Sequence, residues 1–96
     1  MNHEEIKGYD LLIRALLSLQ NEEECQAFLE DLMTKKEMID ISQRLLVAQM
    51  LSRQTVYNKI VEETGASTAT ISRVSRAYEY GAGGYKLVIE RMKEEP

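Results

Sequence analysis

The stretch "TVYNKIVEETGASTATISRVSRAYEY", Thr55 to Tyr80, holds two short helix-like runs separated by a glycine. Thr55 is placed to cap a first helix, Val56 to about Thr64, in which Val56 and Ile60 fall one turn apart and point the same way. Gly65 follows, where a chain that must stop and turn uses a residue tolerant of positive φ. After Ala66, Ser67 caps a second helix running to about Tyr78. At about 100° per residue, Ile71, Val74 and Tyr78 gather on one side of that helix, and Ala69, Ser72, Arg73 and Arg76 on the other. One face is core; the opposite face is small, hydroxylic and cationic.

Such an outward face suits a DNA major groove. Small residues near a helix N-terminus let the backbone approach the bases, and Ser and Thr donate to bases or phosphates. A methyl group meets the thymine methyl, and arginine bonds guanine or phosphate. Two-helix units with a glycine turn are also common structural hairpins, so periodicity alone leaves both readings open.

The flanking sequence is read by the same periodicity. From about Ile6 to Gln20, Tyr9, Leu12, Ile13, Leu16 and Leu17 form a stripe that Leu11 and Leu19 widen, as in a helix covered by partners on several sides. Asn21 with Glu24 three residues on forms a capping-box signal for a second helix, Glu22 to Met33, with Phe28, Leu29 and Leu32 expected inward. Thr34 with Glu37 repeats the signal for a long helix to about Ser52. Its apolar residues fall in two rows, Met38, Ile41, Leu45, Ala48 and Ile39, Leu46, Met50, more than one neighbour can cover. The first and third helices are therefore expected to bury surface against a second copy of the chain, with a compact monomer as the alternative. "YGAGGYK" breaks the run before a last helix, about Tyr85 to Lys93, carrying Leu87, Val88, Ile89 and Met92. Its glycines lack the spacing and the preceding strand of a phosphate cradle and read as a flexible joint.

Composition bounds the answer. The 96 residues, with a single proline and five glycines, favour one all-α domain of about six helices. Within residues 1–96, the dimerisation helices are expected over 1–52, the helix-turn-helix over 55–79 and the C-terminal helix over 85–94. The net charge of -4 divides unevenly: -6 over residues 1–42, +2 over 43–80 and 0 over 81–96. A mildly basic middle on an acidic chain implies moderate, salt-sensitive DNA affinity. The lone Cys25 excludes an intrachain disulfide, no apolar run approaches the roughly 18 residues of a membrane span, and the N-terminus lacks a basic signal region. A soluble cytoplasmic protein is expected.

Three segments, "FLEDLMT" leading into "EMIDISQRLLVAQML" and then "IVEETGASTATISRVSRAYEYGAGGYKLV", resemble the Trp repressor superfamily over nearly the whole chain. The likeness is strongest to its small TrpR-related proteins of the YerC/YecD type from Gram-positive bacteria, with "TGASTATISR" the most specific part. The resemblance implies a six-helix subunit whose N-terminal helices interlace with those of its twin in an intertwined homodimer. Two reading heads are then presented about 34 Å apart, one turn of DNA. It carries Thr68, Ala69, Thr70 and Ser72 onto the start of the recognition helix, Arg76 and Asn58 onto neighbouring DNA-contacting positions, and Arg44 onto an arginine near both ligand and phosphate. With Ser67 and Arg73, these make up the expected DNA-binding set.

In tryptophan-sensing members, the positions of Arg44 and Arg73 would hold the indole or its carboxylate, Thr34 would lie at the pocket edge, and a glycine would follow Arg73. Here Val74 stands in that place, on the inward face, where an indole would need space. Adding methyl groups to a packed site typically costs about 1–3 kcal/mol, so tryptophan is not expected to fit. DNA binding without a ligand, or with a different, smaller effector, is expected instead. Val61 stands where such relatives would offer a lysine, which implies a different sequence preference.

Catalysis finds no support. The one histidine is His3, Cys25 lies on an acidic helix, and no His/Cys/carboxylate set has metal-ligand spacing. No cofactor is expected; Met33, Met38 and Met50 read as core filling. The resulting expectation is a homodimeric transcriptional regulator, a repressor on a palindromic operator. The alternative, favoured by the acidic total charge, is a helix-turn-helix interaction module docking a larger regulator or a polymerase component.

Overall fold

The computed structural model describes residues 5–93, so His3 lies outside the described residues. Among the described residues the chain forms six helices and no strand: α1 (Tyr9–Ser18), α2 (Glu22–Leu32), α3 (Lys35–Ser52), α4 (Tyr57–Thr64), α5 (Thr68–Tyr80) and α6 (Gly84–Lys93). This is the expected all-α class. Contacts divide the chain into two compact units, Met1–Lys35 and Lys36–Pro96.

The first unit carries α1 and α2. The first helix starts at Tyr9 rather than near Ile6, because Gly8 adopts φ 81° and its left-handed backbone interrupts any earlier turn. It stops at Ser18 rather than Gln20: Leu19 is extended, and the Gln20 N–H is claimed by the next helix, donating to Glu24 Oε1 at 2.9 Å. Asn21 caps α2 as its sequence suggests, Oδ1 accepting from the Glu24 N–H at 2.9 Å. The returning carboxylate bond thus reaches one residue further back than in the standard box. Neither helix has a buried residue. Leu32, expected inward, is exposed, while Phe28 and Leu29 are half-buried. On α1, Leu11 is 63% and Leu17 79% exposed.

The second unit holds the core, drawn from all four of its helices: Val47, Ala48 and Met50 of α3, Ile60 of α4, Ala66 of the following turn, Ile71 and Val74 of α5, and Ile89 of α6. Burying a side chain of the Val, Ile or Met kind stabilises by about 1.5–3 kcal/mol, so this cluster supplies the main drive for folding. Tyr78 packs against it half-buried, as the α5 periodicity predicts. Val47, outside both apolar rows read on α3, is fully buried, whereas Ile39, Ile41, Leu45 and Leu46 of those rows stay exposed. On α6 only Ile89 of the four expected apolar residues is buried.

The junction of α3 and α4 corrects the sequence reading. Thr55 does not cap α4. Its N–H donates to Met50 O at 3.1 Å, while the Gln54 N–H donates to Leu51 O at 2.9 Å, and Gln54 takes φ 60°. This pair of bonds is a Schellman termination of α3, with glutamine where glycine is usual. Thr55 is consumed in ending one helix, so Val56 becomes the N-cap of the next, without a side-chain cap bond. Val56 is therefore 70% exposed and does not share a buried face with Ile60.

Candidate nucleic-acid interface and the adjoining cavity

The helix-turn-helix is built from α4, three linking residues and α5. Gly65 closes α4 at φ 71°, its N–H donating to Val61 O at 2.9 Å. No Cβ is tolerated there without left-handed strain, so the tight stop depends on glycine. Thr64 secures the turn: its hydroxyl donates to Ile60 O at 2.7 Å and accepts from the Ala66 N–H at 3.1 Å. Ala66 is buried in the core. Ser67 then caps α5 as its sequence suggests, Oγ accepting from the Thr70 N–H at 3.1 Å and donating to Thr70 Oγ1 at 3.1 Å.

With Ile71 and Val74 buried, the remainder of α5 is turned outward. Ser67, Thr68, Ala69, Ser72, Arg73 and Arg76 are exposed and Thr70 is half-buried. Asn58 is exposed on the first turn of α4, and Val61 is partly buried against the core. Thr34 immediately precedes α3, in the first unit. Ser67 is committed to its own helix through both hydroxyl bonds, which makes it a support for the outward face as well as part of it.

The ion pairs found among the described residues are Lys36–Asp40 at 2.9 Å, Lys59–Glu63 at 3.4 Å and Lys86–Glu79 at 3.9 Å. None engages Arg44, Arg73 or Arg76. Among the described residues, three guanidinium groups on or beside this face thus stand outside any ion pair, and a guanidinium presents five donors to an acceptor.

Two of those arginines also border a cavity. It has a volume of about 180 Å³ and is lined by Asp40, Gln43 and Arg44 of α3 and by Thr70, Arg73 and Val74 of α5. The structure thus brings Arg44, Arg73 and Val74 to one place. Val74 turns into the core at 2% exposure, so it walls the cavity from the inside. The Asp40 carboxylate is already bound by Lys36, leaving the two guanidinium groups as the dominant charge. Asp40 and Gln43 are the participants that sequence reading missed, and Gln43 also reaches out of the cavity. Its Nε2 donates to Thr64 O at 3.2 Å, a bond spanning 21 residues that no local pattern announces. A second, apolar groove of about 570 Å³ lies between Ile41 and Leu45 of α3 and Tyr85 and Val88 of α6.

Among the described residues no helix is long and apolar enough to cross a membrane, and no group of His, Cys, Asp or Glu is arranged to hold a metal ion.

Known proteins supply an independent comparison. The family model described as Trp repressor protein matches residues 7–93. YerC of Bacillus subtilis strain 168, whose function is uncharacterised, is 49% identical over 88 residues, covering 92% of this chain and 85% of its own. A crystal structure of a candidate Trp repressor from Staphylococcus aureus superposes with a TM-score of 0.89 at 44% identity, covering 99% of this chain and 97% of that one. A TrpR-like protein from Eubacterium eligens ATCC 27750 superposes with a TM-score of 0.90 at 43% identity, covering 100% and 99%.

Proposed function

The chain belongs to the Trp repressor family, a family of DNA-binding regulators, and we propose that it represses transcription by occupying a palindromic operator as a homodimer. The observation that carries this reading is the outward face of α5. Thr68, Ala69, Ser72, Arg73 and Arg76 are exposed together, and the two arginines have no ion-pair partner among the described residues. In this reading Ala69 and the hydroxyls of Thr68, Thr70 and Ser72 meet base edges, while Arg73, Arg76, Asn58 and Arg44 bind bases or phosphates.

The homodimer is supported by apolar surface that the subunit leaves uncovered. Neither α1 nor α2 buries a side chain, and Ile39, Ile41, Leu45 and Leu46 of α3 are exposed. Patches of this kind are unfavourable on a monomer and are usual at obligate interfaces. Two-fold symmetry then sets two reading heads against two half-sites.

Tryptophan is not the effector in this reading. The cavity between Arg44 and Arg73 is smaller than the roughly 300 Å³ at which ordinary ligand sites begin, and Val74 occupies its inner wall. The repressor acts without a ligand or with a smaller one.

Selection of bound DNA from a random-sequence pool tests the proposal. A two-fold symmetric consensus, with affinity falling log-linearly in salt, is the expected result. Weak binding without sequence preference would overturn it and leave a protein-docking role for the same face.

A further inference from the structure

We infer that Gln43 is a positioning residue that sets the orientation of the reading helix from α3, acting through the last carbonyl of α4. This deepens the DNA-reading function proposed above and rests on it. A helix leaves its final carbonyls without intrahelical donors, and Gly65 turns the chain away from the N–H groups that would otherwise reach Thr64 O. Gln43 supplies the missing donor from a neighbouring helix, Nε2 to Thr64 O at 3.2 Å.

The geometry makes this bond a latch and not simply one contact among many. Thr64 is the hub of the turn: its hydroxyl ties back to Ile60 O and forward to the Ala66 N–H, and its carbonyl ties to α3. Only Gly65, Ala66 and Ser67 separate that hub from Thr68, the first residue of α5. Gln43 also lines the cavity whose other side is made by Thr70 and Arg73 of the reading helix. One side chain of α3 therefore touches the hinge of the reading head and borders the cavity beside it. Its neighbour along the helix, Arg44, lines the same cavity, so the residues that bind and the residue that positions are adjacent in sequence but distinct in role.

A shift at Thr64 is passed through three residues to the exposed start of α5, where base contacts tolerate little displacement. Phosphate contacts from long arginine side chains adapt more readily. Losing the latch should therefore reduce discrimination between sequences more than it reduces general affinity for DNA.

The test uses the full chain with Gln43→Met, which keeps the side-chain length without a donor, and Gln43→Glu, which presents an acceptor to the carbonyl. Affinity for the selected consensus is compared with affinity for scrambled duplex at fixed salt. Both variants should lose about tenfold in that ratio, with the scrambled-duplex affinity and salt slope unchanged. Amide exchange in the free proteins should accelerate severalfold at Gly65 and Ala66 and stay unaltered along the middle of α3. A ratio unchanged in both variants, or acceleration spread over every helix, overturns the inference. So does failure of both variants to fold, which would make Gln43 a general stability residue. Should the unsubstituted chain select no consensus, the DNA-reading proposal falls, while the exchange measurement, made without DNA, still decides whether Gln43 holds the turn.

Discussion

Arg76 is exposed on the same side of α5 as Ser72 and Arg73 and has no ion-pair partner among the described residues. Arg76→Ala is expected to weaken operator binding by about 1–3 kcal/mol if the guanidinium reads a base. If it meets a phosphate instead, the salt slope should fall by about one unit. Fluorescence anisotropy over a salt series separates the two, and unchanged affinity would remove Arg76 from the interface. Val74 presents the opposite case, a side chain at 2% exposure whose methyl groups belong both to the core and to the cavity wall. Val74→Gly removes those methyls and places glycine in a helix interior, which should cost roughly 2–4 kcal/mol, read as a lower melting temperature. Calorimetry with tryptophan, below that temperature, should then detect binding that is not expected of the unsubstituted chain. If heat is still absent, Val74 is not what excludes the indole.

At the scale of elements, the ends of the helices decide more than their middles. Asn21 and Ser67 act as caps because a side-chain oxygen reaches an N–H three residues on, a bond available wherever such a helix begins. Gln54 shows the reverse situation, a non-glycine residue at φ 60° in the Schellman turn that ends α3. The left-handed conformation costs a residue with a Cβ about 1–2 kcal/mol, partly offset because glycine loses more entropy on folding. Gln54→Gly should therefore raise stability by about 0.5–1 kcal/mol in urea titration with an unchanged slope. A loss of stability would mean that the glutamine side chain contributes a contact of its own. Gly81 ends α5 differently: its backbone passes so close to the Ala77 carbonyl that an added Cβ would collide with main-chain atoms. Gly81, by this close approach, and Gly83, at φ 88°, thus serve the tight passage from α5 to α6.

On the scale of the whole molecule, the proposed dimer and the charge distribution carry the consequences. Leu17, at 79% exposure on a helix with no fully buried residue, is a candidate for the proposed dimer interface. The unsubstituted chain should sediment at twice its 11.0 kDa mass, and Leu17→Asp should shift it toward the monomer by setting a charge in an apolar contact. Operator affinity should fall with it, since each half-site alone retains only one reading head. A monomeric unsubstituted chain would remove the symmetric operator from the model. The net charge of -4 does not by itself exclude DNA binding, because ten of the sixteen acidic residues fall in the first 42 positions and residues 43–80 carry +2.

The amino-acid sequence by itself determined the helical class, the two helices joined at Gly65, the Asn21 and Ser67 caps and the inward Ile71 and Val74. Each of these is local: it depends on side chains and backbone groups within a few residues, or on a period repeated along one helix. Only the tertiary structure decided which apolar rows are covered. Val47 is buried although it lies outside the rows read on α3, while Ile39 and Leu46 within them remain in solvent, because burial depends on where neighbouring helices lie. The start of α4 was decided by how α3 ends, which moved the cap from Thr55 to Val56. The bond from Gln43 to Thr64 joins residues 21 positions apart, and periodicity carries no record of a contact made by folding one helix across another.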